Sequence, residues 1–239
     1  MLTAVLFGLA ASSALVLGAV VGSYWDPPRA VTGILLAFAS GALISALAFE
    51  LFSGAYELGG ATRSGLALLA GAAAFVAADT ALDRYVTGKP GPRQTELVTG
   101  GVGWALLAAV TLDGVPENLA LGVSLVDDAS LALLVAIFFS NLPESLVGAV
   151  AMRGEGRQRK AVIGTWAACA LLLAVAVVAG RLLAQPLSDE VLAVALGFAG
   201  GAVLASLADT LMPEAYAQGG PYTAFATAAG FFLSFVLAA

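Results

Sequence analysis

Two short segments, each built around a Pro-Glu pair, hold the side chains of this sequence best suited to binding a cation. The first runs from Asp113 to Asn118 and reads Asp-Gly-Val-Pro-Glu-Asn; the second, residues 140–145, reads Ser-Asn-Leu-Pro-Glu-Ser. Carboxylate, amide and hydroxyl oxygens are ligands for hard or borderline divalent cations. We therefore predict a set of oxygen ligands for one metal ion: Asp113, Glu117, Asn118, Ser140, Asn141 and Glu144.

The spacing within each segment places its oxygens on one side of a helix. Residues four apart share a helix face, which pairs Asp113 with Glu117 and Ser140 with Glu144. A proline inside a helix removes one hydrogen bond and displaces the carbonyl four residues earlier, so Pro116 and Pro143 each free a backbone oxygen. A simpler interpretation is that each proline marks a kink whose glutamate bonds a neighbouring helix. The occurrence of two such motifs in adjacent apolar segments favours the cation site.

The amino-acid composition indicates whether these segments are surrounded by water or by lipid. The chain is 60% hydrophobic and 11% charged, with a mean hydropathy of +0.97, which is typical of a membrane protein. Apolar stretches longer than about 18 residues recur along it, each able to cross a hydrocarbon core of roughly 30 Å. Period-two alternation is not visible, which excludes a barrel, and we predict helices. The apolar N-terminus lacks a basic leader, and we interpret it as the first span rather than a cleaved signal.

The missing residue types exclude several functions. There is no histidine and a single cysteine, Cys169, which removes His-dependent nucleophiles, imidazole metal sites, thiolate clusters and an intrachain disulfide. No basic cluster is interleaved with aromatic residues, so we expect no nucleic-acid partner. An aspartyl intramembrane hydrolase needs two facing aspartates, and Asp113 has no evident aspartate partner. We predict that the chain is not an enzyme.

The apolar stretches predict one membrane domain over residues 1–239 with eight helices. The predicted spans are 3–24, 29–54, 62–86, 96–125, 130–152, 160–183, 190–211 and 221–239. Short connections with turn signals separate them, at residues 26–28, 59–60, 89–92, 127–128 and 219–221, and the second and the last of these contain glycine pairs. Loops after the odd-numbered spans carry eight of the ten Lys and Arg residues. The positive-inside rule then places these loops in the cytoplasm and both termini outside, in the cell membrane.

An internal repeat supports this arrangement. Residues 38–60 align without gaps to residues 198–220, with 11 identities in 23 positions. The match relates span two to span seven, and because these lie an odd number of spans apart, the two copies are inverted in the membrane. Inverted repeats are typical of transporters whose substrate site lies near the midplane between the halves. The fold prediction is thus an all-α protein in which spans 1–3 and 6–8 surround central helices 4 and 5. Alanine-rich helices also match by chance, which is the alternative for this repeat.

In these motifs the sequence resembles the ZIP family of divalent-metal transporters. Their fourth and fifth spans carry His-Asn-x-Pro-Glu-Gly and a related motif, and Met-Pro-Glu-Ala at 212–215 is similar to the family's ending of span seven. The resemblance implies that Glu117 and Glu144 bind metal, that Asp113 and Ser140 stand at histidine positions, and that Asn141 stands at an acidic or amide position. It also implies a homodimer that moves metal into the cytoplasm, with the transported ion as substrate and no permanent cofactor.

The departures from the family pattern change the expected chemistry. Gly114, Asn118 and Ser145 replace the usual residues, and span six carries no carboxylate between 160 and 188, so a second adjacent metal site is not expected. Loss of imidazole makes the site harder, which weakens a zinc preference and leaves Zn²⁺, Mn²⁺ or Fe²⁺, and even Mg²⁺, as candidates. The alternative function is a degenerate, non-transporting relative that acts as a sensor or scaffold.

Carboxylates outside the two motifs are weaker candidates. Glu50, Asp79 and Asp209 lie inside predicted spans, where they either line an ion path or reach the headgroup region. Asp83 is expected at the interface beside Arg84. Glu57 and Glu214 lie further out, and we expect them to be solvated.

Overall fold

The computed structural model of the chain describes residues 1–87, 102–126 and 130–238, with no strand among them. The elements are α1 (Leu2–Tyr24), α2 (Arg29–Ala46), a π-helical turn (Leu47–Phe52), α3 (Ser53–Thr87), α4 (Val102–Ser124), α5 (Leu131–Gly154), α6 (Arg159–Ala184), α7 (Asp189–Ser206), a second π-helical turn (Leu207–Leu211), α8 (Met212–Gly219), a 3₁₀ turn (Gly220–Tyr222) and α9 (Thr223–Ala238). The predicted all-α class is therefore confirmed for the described residues. Four predicted features lie outside the described residues: the turns at 89–92 and at 127–128, the start of span four at 96–101, and the side chain of Asp83.

Among the described residues, five helical stretches are long and apolar enough to cross a membrane by length and composition: Leu2–Tyr24, Arg29–Ala81, Leu131–Gly154, Arg159–Ala184 and Asp189–Ala238. Large apolar side chains remain exposed along α1, α6 and α9, among them Leu6, Leu183 and Phe232. An exposed apolar surface of this extent is stable against lipid rather than water. The membrane character predicted from composition is consistent with this surface.

Each of the two longest stretches is divided by a glycine. A straight helix over the 53 residues of Arg29–Ala81 would measure about 80 Å, far beyond the roughly 30 Å of a hydrocarbon core. Gly60 (φ 69°, ψ 173°) interrupts this stretch, and Gly220 (φ 63°, ψ −155°) interrupts the last one. A left-handed φ is accessible to glycine without a Cβ clash, which is why the chain turns there. The turns fall where the sequence predicted them, but the helices before them run further than predicted, up to the glycine rather than to residues 54 and 211.

The helices form two groups that are in contact. In the first group α1 packs on α5 and α6, while α4 packs on α5 and α6. In the second group α3 packs on α7, and α2 packs on α8 and α9. Contacts of α2 with α5 and of α4 with α7 join the groups. The two Pro-Glu motifs therefore lie on neighbouring helices of the first group.

Candidate cation site

The α4 half of the site is buried. Asp113 is 8% exposed and Glu117 5% exposed, one helical turn apart, with Pro116 between them inside the helix. Close packing on α6 fixes this segment: a Cβ on Gly114 would meet the side chain of Leu173, and one on Gly180 would meet the carbonyl oxygen of Leu119. The α4 backbone thus lies directly against α6, and its two carboxylates are held inside the helix group.

The α5 half holds its glutamate by a hydrogen bond. Ser130 caps the helix, its hydroxyl accepting from the Leu133 N–H at 3.0 Å. The Ser140 hydroxyl donates to Glu144 Oε1 at 2.8 Å, the pairing expected for residues four apart. The hydroxyl of Ser145 donates to the Asn141 carbonyl at 2.8 Å, beside Pro143. A hydrogen bond restricts the orientation of the group that accepts it, so the carboxylate of Glu144 is held in position.

The two halves act on each other through their charges. Glu144 is close enough to Glu117 and Asp113 for their negative charges to affect it. Glu117 likewise feels the charge of Asp113. Carboxylates gathered in a low-dielectric interior repel one another unless protons or cations neutralise them. The cluster therefore favours a bound proton or cation that neutralises it.

Two asparagines next to the glutamates retain unused hydrogen-bonding groups. Asn118 is fully buried and donates to the Gly114 carbonyl at 2.8 Å, but its Oδ1 has no partner among the described residues. Asn141 is 1% exposed, and within the same part of the chain neither its Nδ2 nor its Oδ1 has a partner. Leaving a buried polar atom unsatisfied costs about 1–3 kcal/mol, so native structures rarely retain one without a function. Both Oδ1 atoms are free to accept a bond or coordinate an ion.

The predicted ligands do not form a ready-made coordination shell. Within residues 1–87, 102–126 and 130–238, no group of three or more Asp, Glu, Cys or His side chains is arranged to hold a metal ion. The carboxylates of Asp113, Glu117 and Glu144 thus share a region without converging on one point. A cation bound there would need to draw them together or share them with water, as well as use the hydroxyl and amide oxygens.

A cavity of about 410 Å³ lies on the α5 side of the site. Its walls come from the α1–α2 turn, from α5 beyond Glu144, and from α8; the polar lining residues are Asp26, Arg29, Thr32, Glu214 and Gln218. Glu214 is half-buried, its Oε1 accepting from Gln218 Nε2 at 2.9 Å, and its charge reaches Glu144. Solvation of Glu214 stays a prediction, and α8 turns its half-buried side chain toward this cavity. The Met-Pro-Glu-Ala motif had marked this residue, whereas nothing in the sequence pointed to Arg29 or Gln218 as its neighbours.

The remaining carboxylates lie outside the two motifs in the sequence. Asp79 is 7% exposed on α3. Glu50 and Asp209 fall in the two π-helical turns, Glu50 half-buried and Asp209 exposed, and Glu57 is exposed as predicted. π-Helical turns inside α-helices are frequent at functional sites.

Comparison with known proteins does not assign a function to the chain, so the geometry of the site is the basis for one. No protein-family model matches the chain, and no curated protein is significantly similar to it in sequence.

Proposed function

We propose that the chain is a carrier that takes divalent cations of the Zn²⁺, Mn²⁺ or Fe²⁺ class across the cell membrane into the cytoplasm. The observation that carries this proposal is the grouping of Asp113, Glu117 and Glu144 within interaction range on two adjacent, proline-containing helices. Carboxylates inside a membrane span are costly and mark ion pathways by default. A divalent cation removes the repulsion among them, which gives the cluster a physical reason to exist.

A loose ligand set suits transport better than a tight one. A carrier must bind its ion strongly enough to load and weakly enough to release it. The separate carboxylates, the positioned Glu144 and the unused oxygens of Asn118 and Asn141 provide ligands that an arriving ion can recruit and then leave. Hard oxygen ligands without imidazole or thiolate favour Mn²⁺ and Fe²⁺ over Zn²⁺.

The cavity next to α5 supplies an exit. Glu214 is near enough to Glu144 for their charges to interact, and it lines a space that also borders the α1–α2 turn. From the distribution of Lys and Arg we propose that this turn faces the cytoplasm. We propose that an ion passes from the buried cluster to Glu214 and then out through this cavity.

We further propose that the chain has eight spans arranged as an inverted repeat. The breaks at Gly60 and Gly220 each divide one long helical stretch into two spans. Three features separated by 160 residues support the repeat: the aligned sequences, the π-helical turns, and the left-handed glycines. Helix crossings support it as well. A Cβ on Gly41 would meet the Thr227 carbonyl, and one on Gly201 would meet the Leu68 carbonyl, so equivalent positions of α2 and α7 make equivalent contacts.

The two helix groups offer a route to alternating access. We propose that α1, α4, α5 and α6, which contain the site, slide against the second group within a homodimer. An inside-negative potential supplies about 4.6 kcal/mol per 100 mV to two positive charges, twice the value for one, so uptake needs no nucleotide.

Flux into liposomes tests the proposal. Purified protein should take up at least one of Mn²⁺, Fe²⁺, Zn²⁺, Co²⁺ and Mg²⁺ under an inside-negative potential, and Glu117→Ala and Glu144→Ala should each abolish it. Glu57→Ala is the matched control, because Glu57 is exposed and lies outside both motifs. Flux that survives both substitutions would show that the path lies elsewhere.

The second candidate is a membrane protein that binds cations without moving them. The missing histidines and the absence of carboxylates from α6 favour it. It predicts cation-dependent thermal stabilisation that requires Glu117 and Glu144, together with no flux of any of the five ions.

A further inference from the structure

The cavity beside Glu214 contains a positive charge as well as two negative ones. Its lining includes Asp26 and Arg29 from the α1–α2 turn and the start of α2, together with Glu214 from α8. The formal charge of these three side chains is −1 instead of the −2 that the carboxylates alone would give. A cavity that merely attracted cations would not place a guanidinium on its wall.

Arg29 is available to act on whatever enters this cavity. Its side chain is exposed at the start of α2, and the structure gives it no ion pair with a carboxylate among the described residues. Glu214 is half-buried and bonded to the neutral amide of Gln218. Because a guanidinium remains charged at every physiological pH, Arg29 adds a permanent positive charge to the cavity.

We propose that Arg29 is a tethered counter-cation that weakens cation binding in the cavity and so favours release on the cytoplasmic side. This inference rests on the proposed function and adds a directional element to it. When the cavity is empty, Arg29 partly balances Asp26 and Glu214. An arriving divalent ion must compete with that charge, which lowers its affinity for the cavity and shortens its stay there.

The same charge opposes binding from the cytoplasm. Cations abundant in the cytoplasm, Mg²⁺ above all, would otherwise occupy the two carboxylates and obstruct the exit. One unit charge acting on a divalent ion across a water-filled cavity changes its affinity by about three- to tenfold, and added salt screens the effect. The buried cluster lacks such a charge among its predicted ligands, so the cation should be held more weakly in the cavity than at α4 and α5.

Arg29 also counts toward the positive-inside distribution that orients the chain, and the test must separate the two roles. Arg29→Lys keeps the charge and the orientation, whereas Arg29→Gln removes the charge. A fluorophore on Ala217→Cys, an exposed small residue of the cavity wall, reports local Co²⁺ by quenching. The native Cys169 is buried, and the unsubstituted chain serves as the labelling control. A membrane-impermeant label reads only the molecules whose cavity faces the bath.

The Co²⁺ concentration for half-maximal quenching should fall three- to tenfold in Arg29→Gln and stay unchanged in Arg29→Lys. In 0.5 M KCl, where the Debye length is about 3–5 Å, the difference between the two midpoints should shrink. A structural effect of the substitution would not depend on salt in this way. Glu214→Gln should raise the midpoint. An equal midpoint in Arg29→Gln and the unsubstituted chain, or a difference that salt leaves intact, would overturn the inference.

Transport measurements separate this inference from the proposed function. In proteoliposomes, Mg²⁺ on the cavity side should inhibit Mn²⁺ uptake at lower concentration in Arg29→Gln than in Arg29→Lys. Absence of flux in the unsubstituted protein refutes the carrier function, and the quenching midpoints still decide whether Arg29 sets the cation affinity of the cavity. Normal flux with identical midpoints refutes only the role of Arg29.

Discussion

The Pro-Glu motifs of α4 and α5 are built alike, but the residue one turn before each glutamate differs. In α5 it is Ser140, whose hydroxyl donates to Glu144 at 2.8 Å. In α4 it is Asp113, a second carboxylate whose charge acts against that of Glu117. One motif therefore positions its glutamate, while the other concentrates charge.

Their packing, by contrast, is equivalent. The carbonyl oxygens of Leu119 and Leu146, two residues after the respective glutamates, lie where a Cβ on Gly180 of α6 or on Gly22 of α1 would be. Each motif is thus held against a flanking helix by a glycine. The fold therefore supports both motifs in the same way, through a glycine of a flanking helix. The chemistry of the motifs differs because of the residue one turn before each glutamate, which is Asp113 in α4 and Ser140 in α5.

Removal of one glutamate charge should produce the largest effect. Glu117→Gln and Glu144→Gln keep side-chain shape, yet each should reduce cation flux about 100-fold or more, because a charge-assisted contact to a buried ion contributes about 3 kcal/mol. Flux of Mn²⁺ into liposomes measures this. If Glu144→Gln retained activity while Glu117→Gln lost it, α5 would serve as a support and not as a ligand.

Disruption of the shared packing should lower stability in both halves. Gly180→Ala and Gly22→Ala would press a methyl group onto a neighbouring backbone carbonyl, and we expect each to destabilise the protein by about 1–3 kcal/mol. Thermal unfolding in detergent measures the change. Gly164→Ala, on the same helix as Gly180, is the control, since no atom lies within 4 Å of its added Cβ. Equal melting temperatures for Gly180→Ala and Gly164→Ala would mean that α4 is not fixed by this contact.

The sequence predicted the helices better than the details of the site. For α1 and α6 the predicted ends fall within one residue of Leu2–Tyr24 and Arg159–Ala184, because polar residues bound both apolar runs. The turns at Gly60 and Gly220 were predicted because glycine pairs mark them. Spacing placed Ser140 and Glu144 on one helix face, where their side chains form a hydrogen bond that was not predicted from the sequence.

What could not be predicted depends on packing between distant segments. The π-helical turns lie inside segments whose sequence is typical of an ordinary α-helix. The partial burial of Glu214 requires α8 to pack on α2 and to face α5 across the cavity, an arrangement that joins residues far apart in the chain. The closeness of Glu144 to Asp113 and Glu117 was only a hypothesis, because helix spacing says nothing about how two helices are rotated toward each other.

Loss of the Ser140 hydroxyl should weaken the site without destroying it. Ser140→Ala removes the hydrogen bond that positions Glu144, and a bond to a charged group contributes about 1.5 kcal/mol, so KM should rise about tenfold while maximal flux changes little. Ser124→Ala is a suitable control, since that hydroxyl bonds only the Leu121 carbonyl of its own helix at 2.9 Å. An unchanged KM in Ser140→Ala would remove the distinction between a positioned and an unpositioned glutamate.

The asparagines should give the smallest effect and the most direct view of coordination. Asn141 has two buried atoms without partners, so Asn141→Leu removes an unsatisfied group and should leave the cation-free protein as stable as before or slightly more so. If its Oδ1 binds the ion, the same variant should lose a few-fold in cation affinity, seen as a smaller rise in melting temperature on adding Mn²⁺. Asn118→Leu should differ, because it also breaks the bond to the Gly114 carbonyl and lowers stability without cation. A cation-induced shift in Asn141→Leu equal to that of the unsubstituted chain would exclude Asn141 Oδ1 as a ligand and leave Asn118 Oδ1 as the remaining amide candidate, so that the two motifs would differ in their asparagines as well as in Asp113 and Ser140.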